Sequence, residues 1–129
     1  MNTIIIALGL LMGLNFNNGT EKPYDYDKAW ETVEKFIIEG LPKSALEKVE
    51  EIHKSAISEK NNPQLVKSIV YISRLTIQTD EKGIESSITR LEETVSSAAA
   101  PVKQITSSYL AELYQRYFDN YRWEISQRS

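Results

Sequence analysis

The segment Ile84–Ala98, IESSITRLEETVSSA, carries Ile84, Ile88, Leu91 and Val95 at intervals of four, three and four residues. That spacing places the four apolar side chains on one face of an α-helix, with polar side chains over the rest of its surface. No segment of the chain shows a sustained two-residue alternation, which is typical of strands. The sequence therefore predicts an all-α fold. A short strand in the β-branched region 69–72 is the alternative left open.

Reading outward from this segment gives five amphipathic helices, which the pattern predicts over residues 26–39, 42–59, 63–77, 84–98 and 101 to 117 or beyond. Gly40 suits the left-handed position that ends a helix, and Pro42 suits the first turn of the next helix. Asn62 and Pro63 are expected as N-cap and first helical residue of the third helix. The third helix is apolar over a wide arc, which predicts neighbours on both of its sides.

Each remaining helix has an expected apolar face. The first is predicted to bury Trp30, Val33 and Ile37, and the second Ala45, Leu46, Val49, Ile52 and Ala56. The fifth is predicted to use Val102, Ile105, Tyr109, Leu113 and Tyr117. On the polar face of the second helix, Glu50 and Lys54 are spaced for an i,i+4 ion pair.

The helix breakers repeat with a regular period. Pro23, Pro63 and Pro101 lie 40 and 38 residues apart, each near the start of a helix that opens a new pair. Such a period predicts stacked antiparallel hairpins resembling tetratricopeptide repeats or another α-solenoid. Trp30 and Ala45 suit two positions of the tetratricopeptide pattern. The fifth helix lacks a hairpin partner, so we expect either a fragment of a longer protein or a chain that needs a partner.

The first residues differ in character from the rest. Residues 4–14, IIIALGLLMGL, form an apolar run too short to span a bilayer as a helix but suited to the central part of a secretory signal. We therefore expect residues 1–22 to be a signal peptide with a polar spacer, and residues 23–129 to be the helical domain. A structured or misassigned start is the alternative for these residues. With a genuine signal, the expected location is extracytoplasmic: in the periplasm, at the cell surface or secreted. The signal segment is the only contact expected with a membrane.

The amino-acid composition argues against a catalytic or metal-binding site. The chain has no cysteine, and His53 is its single histidine, so thiolate sites, histidine metal sites and catalytic triads lack their members. Glu47, Glu50 and Glu51, like Glu92 and Glu93, are expected to be solvated. The net charge of −3 disfavours nucleic acid. We expect a non-enzymatic protein without cofactor or metal, and a protein as its partner.

Aromatic residues concentrate near the end of the fifth helix. Six of them fall within residues 109–123, where Tyr114 and Tyr121 lie seven residues apart on a common stripe and Trp123 follows. Tyrosine and tryptophan are enriched at protein interfaces. Tyr109, Tyr117 and Phe118 are expected in the core. Tyr114, Tyr121 and Trp123 are therefore the candidate interface residues, and a place in the core or in an intramolecular contact is the alternative.

Several segments resemble, in order and spacing, the amino-terminal helical region of bacterial alpha-2-macroglobulin-family proteins. The resemblance extends from about Tyr26 to the end of the chain and is carried by residues 26–34 (YDKAWETVE), 39–46 (EGLPKSAL), 49–52 (VEEI) with Ala56, 61–64 (NNPQ), 101–105 (PVKQI), 110–114 (LAELY) and 120–123 (NYRW). It implies a non-catalytic scaffold or interaction module that precedes the macroglobulin domains of an extracytoplasmic, protease-inhibitor-type protein. The family's thioester needs a cysteine that this chain lacks. A free-standing tetratricopeptide-like adaptor that binds a peptide or protein is the second hypothesis.

Overall fold

The computed structural model describes residues 22–128, and these form five α-helices and no strand. The helices are α1 (Tyr26–Ile38), α2 (Pro42–Ser58), α3 (Asn62–Thr79), α4 (Gly83–Ser97) and α5 (Val102–Gln127). The all-α prediction is confirmed, and residues 69–72, where a strand was the alternative, lie inside α3. The apolar run 4–14, predicted to be a signal segment, lies outside the described residues. None of the five helices is long and apolar enough to cross a membrane.

Short connections join the helices into hairpins, and each helix packs against the next one along the chain. Helices that are not adjacent in the chain also contact each other. α5 contacts α3, and Trp30 of α1 donates a 2.7 Å hydrogen bond from Nε1 to Gln64 Oε1 of α3. Arg90 of α4 binds Glu50 of α2. These contacts arrange α1, α3 and α5 in one row and α2 and α4 in another.

The third helix belongs to two apolar clusters at once. Ile72 and Leu75 are buried with residues of α1 and α2, whereas Ile69 is buried with Leu91 of α4 and Leu113 of α5. The wide apolar arc of this segment therefore predicted its position correctly. A helix packed on both sides stabilises the array as a unit, because either cluster loses a wall without it.

Two helix ends use the same hydrogen-bonding pattern. After α1, Gly40 has φ +72°, its N–H donates to the Ile37 carbonyl, and the Leu41 N–H donates to the Phe36 carbonyl. This is a Schellman motif, which satisfies the last carbonyls of the helix. The predicted role of Gly40 is confirmed, and Pro42 follows as the first helical residue.

The end of α2 has the same motif without a glycine. Lys60 takes φ +54°, and Asn61 donates its N–H to the Ala56 carbonyl. Asn61 also caps α3, since its side chain accepts from the Gln64 N–H at 3.3 Å. The predicted N-cap, Asn62, was one residue too late: it is the first helical residue, and Pro63 follows it in the first turn.

Four predictions about side chains were wrong. Ile37, Ile105 and Phe118, all expected in the core, are 44%, 47% and 48% exposed. In α1 the core side is formed by Ala29, Trp30 and Val33, which leaves Ile37 at its edge. In α5 Thr106 is buried next to the position expected for Ile105. Glu50 binds Arg90 of α4 rather than relying on Lys54, because α4 brings a bidentate guanidinium within reach of its carboxylate.

Gly83 begins α4 at a point where two helices come very close. A Cβ atom on this residue would lie 2.5 Å from both the Ile77 Cα and the Thr76 carbonyl oxygen. Those neighbours are backbone atoms of α3 and cannot rotate away. Only glycine allows the α3–α4 turn to close this tightly.

We expect Lys60→Gly to raise the free energy of unfolding by about 0.5–1 kcal/mol, because glycine removes the cost of the left-handed conformation. Chemical denaturation measures the change. Lys54→Gly, in the exposed interior of α2, is the matched control and should lower stability by about 1 kcal/mol. A loss of stability in both variants would contradict the assigned role of Lys60.

We expect Gly83→Ala to lower the free energy of unfolding by about 1–3 kcal/mol, because the added methyl group forces the backbones of α3 and α4 apart. Thermal or urea denaturation measures it. Ser86→Ala, at an exposed position one turn further into α4, should change stability by less than about 0.5 kcal/mol. Equal effects of the two substitutions would show that the close approach at Gly83 is unimportant.

Candidate protein-binding surface on the fifth helix

Two tyrosines of α5 are tied to two glutamates of α4. The Tyr121 hydroxyl donates to Glu85 Oε1 at 3.1 Å, and the Tyr114 hydroxyl donates to Glu92 Oε1. Both the tyrosines and the glutamates are spaced by seven residues, which equals two helical turns. The two bonds therefore fix the antiparallel register of α4 and α5. Tyr114 and Tyr121, predicted as interface residues, thus have intramolecular partners through their hydroxyl groups.

These hydrogen bonds affect the tyrosines electrostatically. A hydrogen bond to Glu85 raises the pKa of Tyr121, and one to Glu92 raises the pKa of Tyr114, because ionising either phenol would place it beside a carboxylate. The Tyr121 ring also lies 4.6 Å from that of Tyr117. The phenols are therefore neutral donors, and their rings remain available for apolar contact.

The third predicted interface residue lies further along the helix. Trp123 is 73% exposed, because α5 is longer than the helix beside it: α5 has 26 residues and α4 has 15. Because Tyr121 is level with Glu85, near the start of α4, the residues of α5 from Trp123 onward extend beyond that helix. This overhang contains both Trp123 and the exposed Ile125.

An apolar row runs along the outer side of α5, and the sequence reading did not identify it as a row. Its members are Ala111, Tyr114, Phe118, Tyr121 and Ile125, at intervals of three, four, three and four residues. We call this row the α5 stripe. Tyr114, Phe118 and Ile125 are each close to half exposed, and Ala111 is exposed as well. The heptad spacing is present in the sequence. It is hard to recognise there because the same helix carries a second set of apolar residues, including Leu110 and Leu113, which is buried.

A second aromatic cluster lies on the row formed by α1, α3 and α5. The Lys67 ammonium lies 4.0 Å from the centre of the Trp30 ring, whose own neighbour is Tyr71 at 4.8 Å between ring centres. Trp30 is almost fully buried. This cluster joins α1 to α3 and offers little open aromatic surface, so we assign it a structural role.

His53 does not hold Ser68 as an activated nucleophile. Its Nδ1 lies 2.9 Å from Ser68 Oγ, and the Ser68 hydroxyl donates to the Leu65 carbonyl at 2.7 Å. Since the serine proton is already committed to that carbonyl, the histidine donates from Nδ1 and the serine accepts. Burial of the imidazole, and then the nearby Arg90, lower the pKa of His53, against the opposing effect of Glu50.

Three of the five acidic side chains expected to be solvated, Glu50, Glu51 and Glu92, take part in specific contacts. Arg90 lowers the pKa of Glu50 through its hydrogen bonds, and Lys48 lowers that of Glu51 in the same way. Glu92 accepts from Tyr114. Within residues 22–128 no group of three or more His, Cys, Asp or Glu side chains is placed to hold a metal ion.

We expect the protein to lose stability as the pH falls from about 7.5 to 5, because of His53. Its pKa in the folded state lies below the ordinary value of 6.5, so the unfolded chain takes up the proton first. This contribution is complete above pH 6.5 and declines below it. Urea denaturation at several pH values measures the trend.

His53→Asn is the variant that isolates this contribution. Asparagine keeps a short donor toward Ser68 but does not titrate, so its stability should change less over the same pH range. The pKa values of Glu50 and Glu51 lie below the ordinary 4.5 in the folded state, so their contribution is lost mainly below pH 5 and is shared by both proteins. If the wild type and the variant had parallel pH profiles, His53 would not be the group responsible.

Compared with known proteins, the chain matches no protein-family model, no curated protein and no solved structure.

Proposed function

We propose that this chain is a non-catalytic helical module that binds a protein through the outer side of α5. The observation that carries the proposal is the apolar surface left open on this helix: the half-exposed α5 stripe and, beyond it, the exposed Trp123. Contiguous apolar surface rimmed by polar residues is typical of protein interaction sites. Aromatic side chains supply much of the binding energy in such sites.

The absence of an assembled reaction centre supports a binding role over an enzymatic one. Ser68 is not activated by His53, because its proton is engaged by the Leu65 carbonyl, and Glu50, the carboxylate that acts on His53, is bound to Arg90. General acid–base catalysis needs an acid or base free to exchange a proton with a substrate. The described residues offer contacts that hold helices together instead.

The resemblance to the amino-terminal region of alpha-2-macroglobulin-family proteins extends this proposal. In that version the module is extracytoplasmic, and its partner is a downstream domain of the same polypeptide or a separate protein. No family model matches the chain, so membership stays a prediction. Sequence of the neighbouring DNA tests it: macroglobulin domains in the same reading frame are expected, and their absence would contradict this version while leaving the binding role in place.

A free-standing tetratricopeptide-like adaptor is the alternative version. It is favoured by the two rows of helices, since α3 contacts both α1 and α5 in the way that the first helices of stacked hairpins do. Such an adaptor binds its peptide on the row of first helices rather than on the outer side of α5. The two versions therefore predict different contact surfaces.

A photo-activated crosslinker placed on the two surfaces distinguishes them. We expect benzoylphenylalanine at Phe118 to form a protein crosslink in cells that make the full chain, because this position lies at the centre of the α5 stripe. Glu47, exposed on the polar face of α2, is the matched control and should give no crosslink. Mass spectrometry identifies the products.

A third position tests the adaptor version. Lys67 lies on the α1–α3–α5 row, so crosslinks from Lys67 and none from Phe118 would favour peptide binding on that row. Crosslinks from Phe118 no stronger than those from Glu47 would contradict the proposed binding role of α5.

A further inference from the structure

We propose that the partner seated on the α5 stripe is a second copy of this chain, with the two α5 helices parallel and related by a two-fold axis. This inference rests on the proposed function, because it assigns a partner to the same surface. It is drawn from the spacing of the stripe and from the charges along its two edges.

The spacing of the stripe is that of a two-stranded coiled coil. Intervals of three and four residues keep Ala111, Tyr114, Phe118, Tyr121 and Ile125 on one line when a helix winds around a second helix of the same kind. A neighbouring side of α5 is already buried against α3 and α4, through residues such as Leu110 and Leu113. The helix thus has two apolar faces, and only one is covered within the chain.

The two edges of the stripe carry different charges. On the edge toward α4, Glu85 and Glu92 stand beside Tyr121 and Tyr114. On the opposite edge Arg122 follows Phe118 by four residues and precedes Ile125 by three, so it borders both. Arg122 has no ion pair within residues 22–128. On the edge toward α4, Glu85 is half-buried and Glu92 is exposed.

These charges select the parallel orientation. A two-fold axis along the helices brings the acidic edge of one copy against the arginine edge of the other. Arg122 is adjacent in sequence to Tyr121, which is level with Glu85, so each Arg122 then meets the Glu85 edge of the second copy. An antiparallel pair would instead place Glu85 of one copy opposite Glu92 of the other. Two such repulsions disfavour that arrangement.

The stripe is large enough for a specific, reversible dimer. Aromatic side chains bury about 150–250 Å² each when fully covered, and Tyr114 and Phe118 leave close to half of their surface exposed. With Ile125 and the edge residues on both copies, pairing buries on the order of 1,000 Å², near the lower limit for specific interfaces. We therefore expect a dimer that dissociates on dilution.

Analytical ultracentrifugation of the full chain over a range of concentrations tests the association. We expect a monomer–dimer equilibrium, weakened about tenfold or more by Arg122→Glu, which places a negative charge against Glu85 of the second copy. Arg116→Glu is the matched control, because Arg116 lies beside Tyr109 and Arg74 on the α3 side of the helix. It should leave the equilibrium unchanged, and circular dichroism should show both variants folded.

The absence of native cysteine allows the orientation to be read by disulfide formation. In a parallel pair Ala111→Cys and Ile125→Cys should each crosslink with itself, since equivalent positions face each other within disulfide range. In an antiparallel pair only a mixture of the two variants would crosslink. Lys54→Cys, exposed on α2, sets the background level.

Each result has a definite consequence. Self-crosslinking of both stripe cysteines above the Lys54→Cys background, with a dimer sensitive to Arg122→Glu, supports the proposal. A chain that stays monomeric, a crosslink only in the mixture, or equal effects of Arg122→Glu and Arg116→Glu would overturn it. A monomer whose Phe118 position crosslinks to a different protein would overturn the dimer and leave the proposed function standing.

Discussion

The structure depends on the burial of α3 on two sides. Ile72 and Leu75 complete the cluster with α1 and α2, and Ile69 completes the cluster with α4 and α5. A helix in this position needs small residues where its neighbours come closest. Ser68 and Ser73 meet that need: both are buried, and each donates its hydroxyl to a carbonyl of α3 itself, so neither hydroxyl is left unsatisfied.

Polar contacts between helices that are not adjacent in the chain add order to this apolar packing. The ion pair between Glu50 and Arg90 joins α2 to α4, and the Trp30–Gln64 hydrogen bond joins α1 to α3. Neither bond is strongly stabilising by itself, since partly exposed ion pairs contribute at most about 1 kcal/mol. Their effect is to fix how one hairpin lies on the next. The same is true of the two tyrosine–glutamate bonds that set the register of α4 and α5.

The fifth helix differs from the other two members of its row in one respect that matters for function. α2 packs against α1 and α4 packs against α3, but within residues 22–128 no later helix covers α5. Its outer side nevertheless keeps the apolar spacing of a helix that is covered. The proposed binding role and the proposed dimer both rest on this combination: a helix side that no other described helix covers, with the apolar spacing of a side that is usually covered.

The sequence by itself determined the helices, most of their ends and the central place of the third helix. These are local properties: apolar spacing defines a helix face, and Gly40, Pro42 and Pro63 act through backbone geometry that needs no distant contact. The exposure of Ile37 and the partner of Glu50 were decided only by the tertiary structure. Apolar spacing identifies several possible faces on one helix. Which of them is buried depends on the helices that pack against it in the folded structure.

The candidate site divides in the same way. The sequence showed that Tyr114, Tyr121 and Trp123 form an unusual concentration of aromatic residues, and it held the heptad spacing of the stripe. It did not show that the hydroxyls of the two tyrosines bind Glu92 and Glu85, because those partners lie 22 and 36 residues away and meet them only when α4 and α5 pack. Tertiary packing thus gave both hydroxyls partners on α4 and left Tyr114 and Trp123 with much of their side chains on the surface.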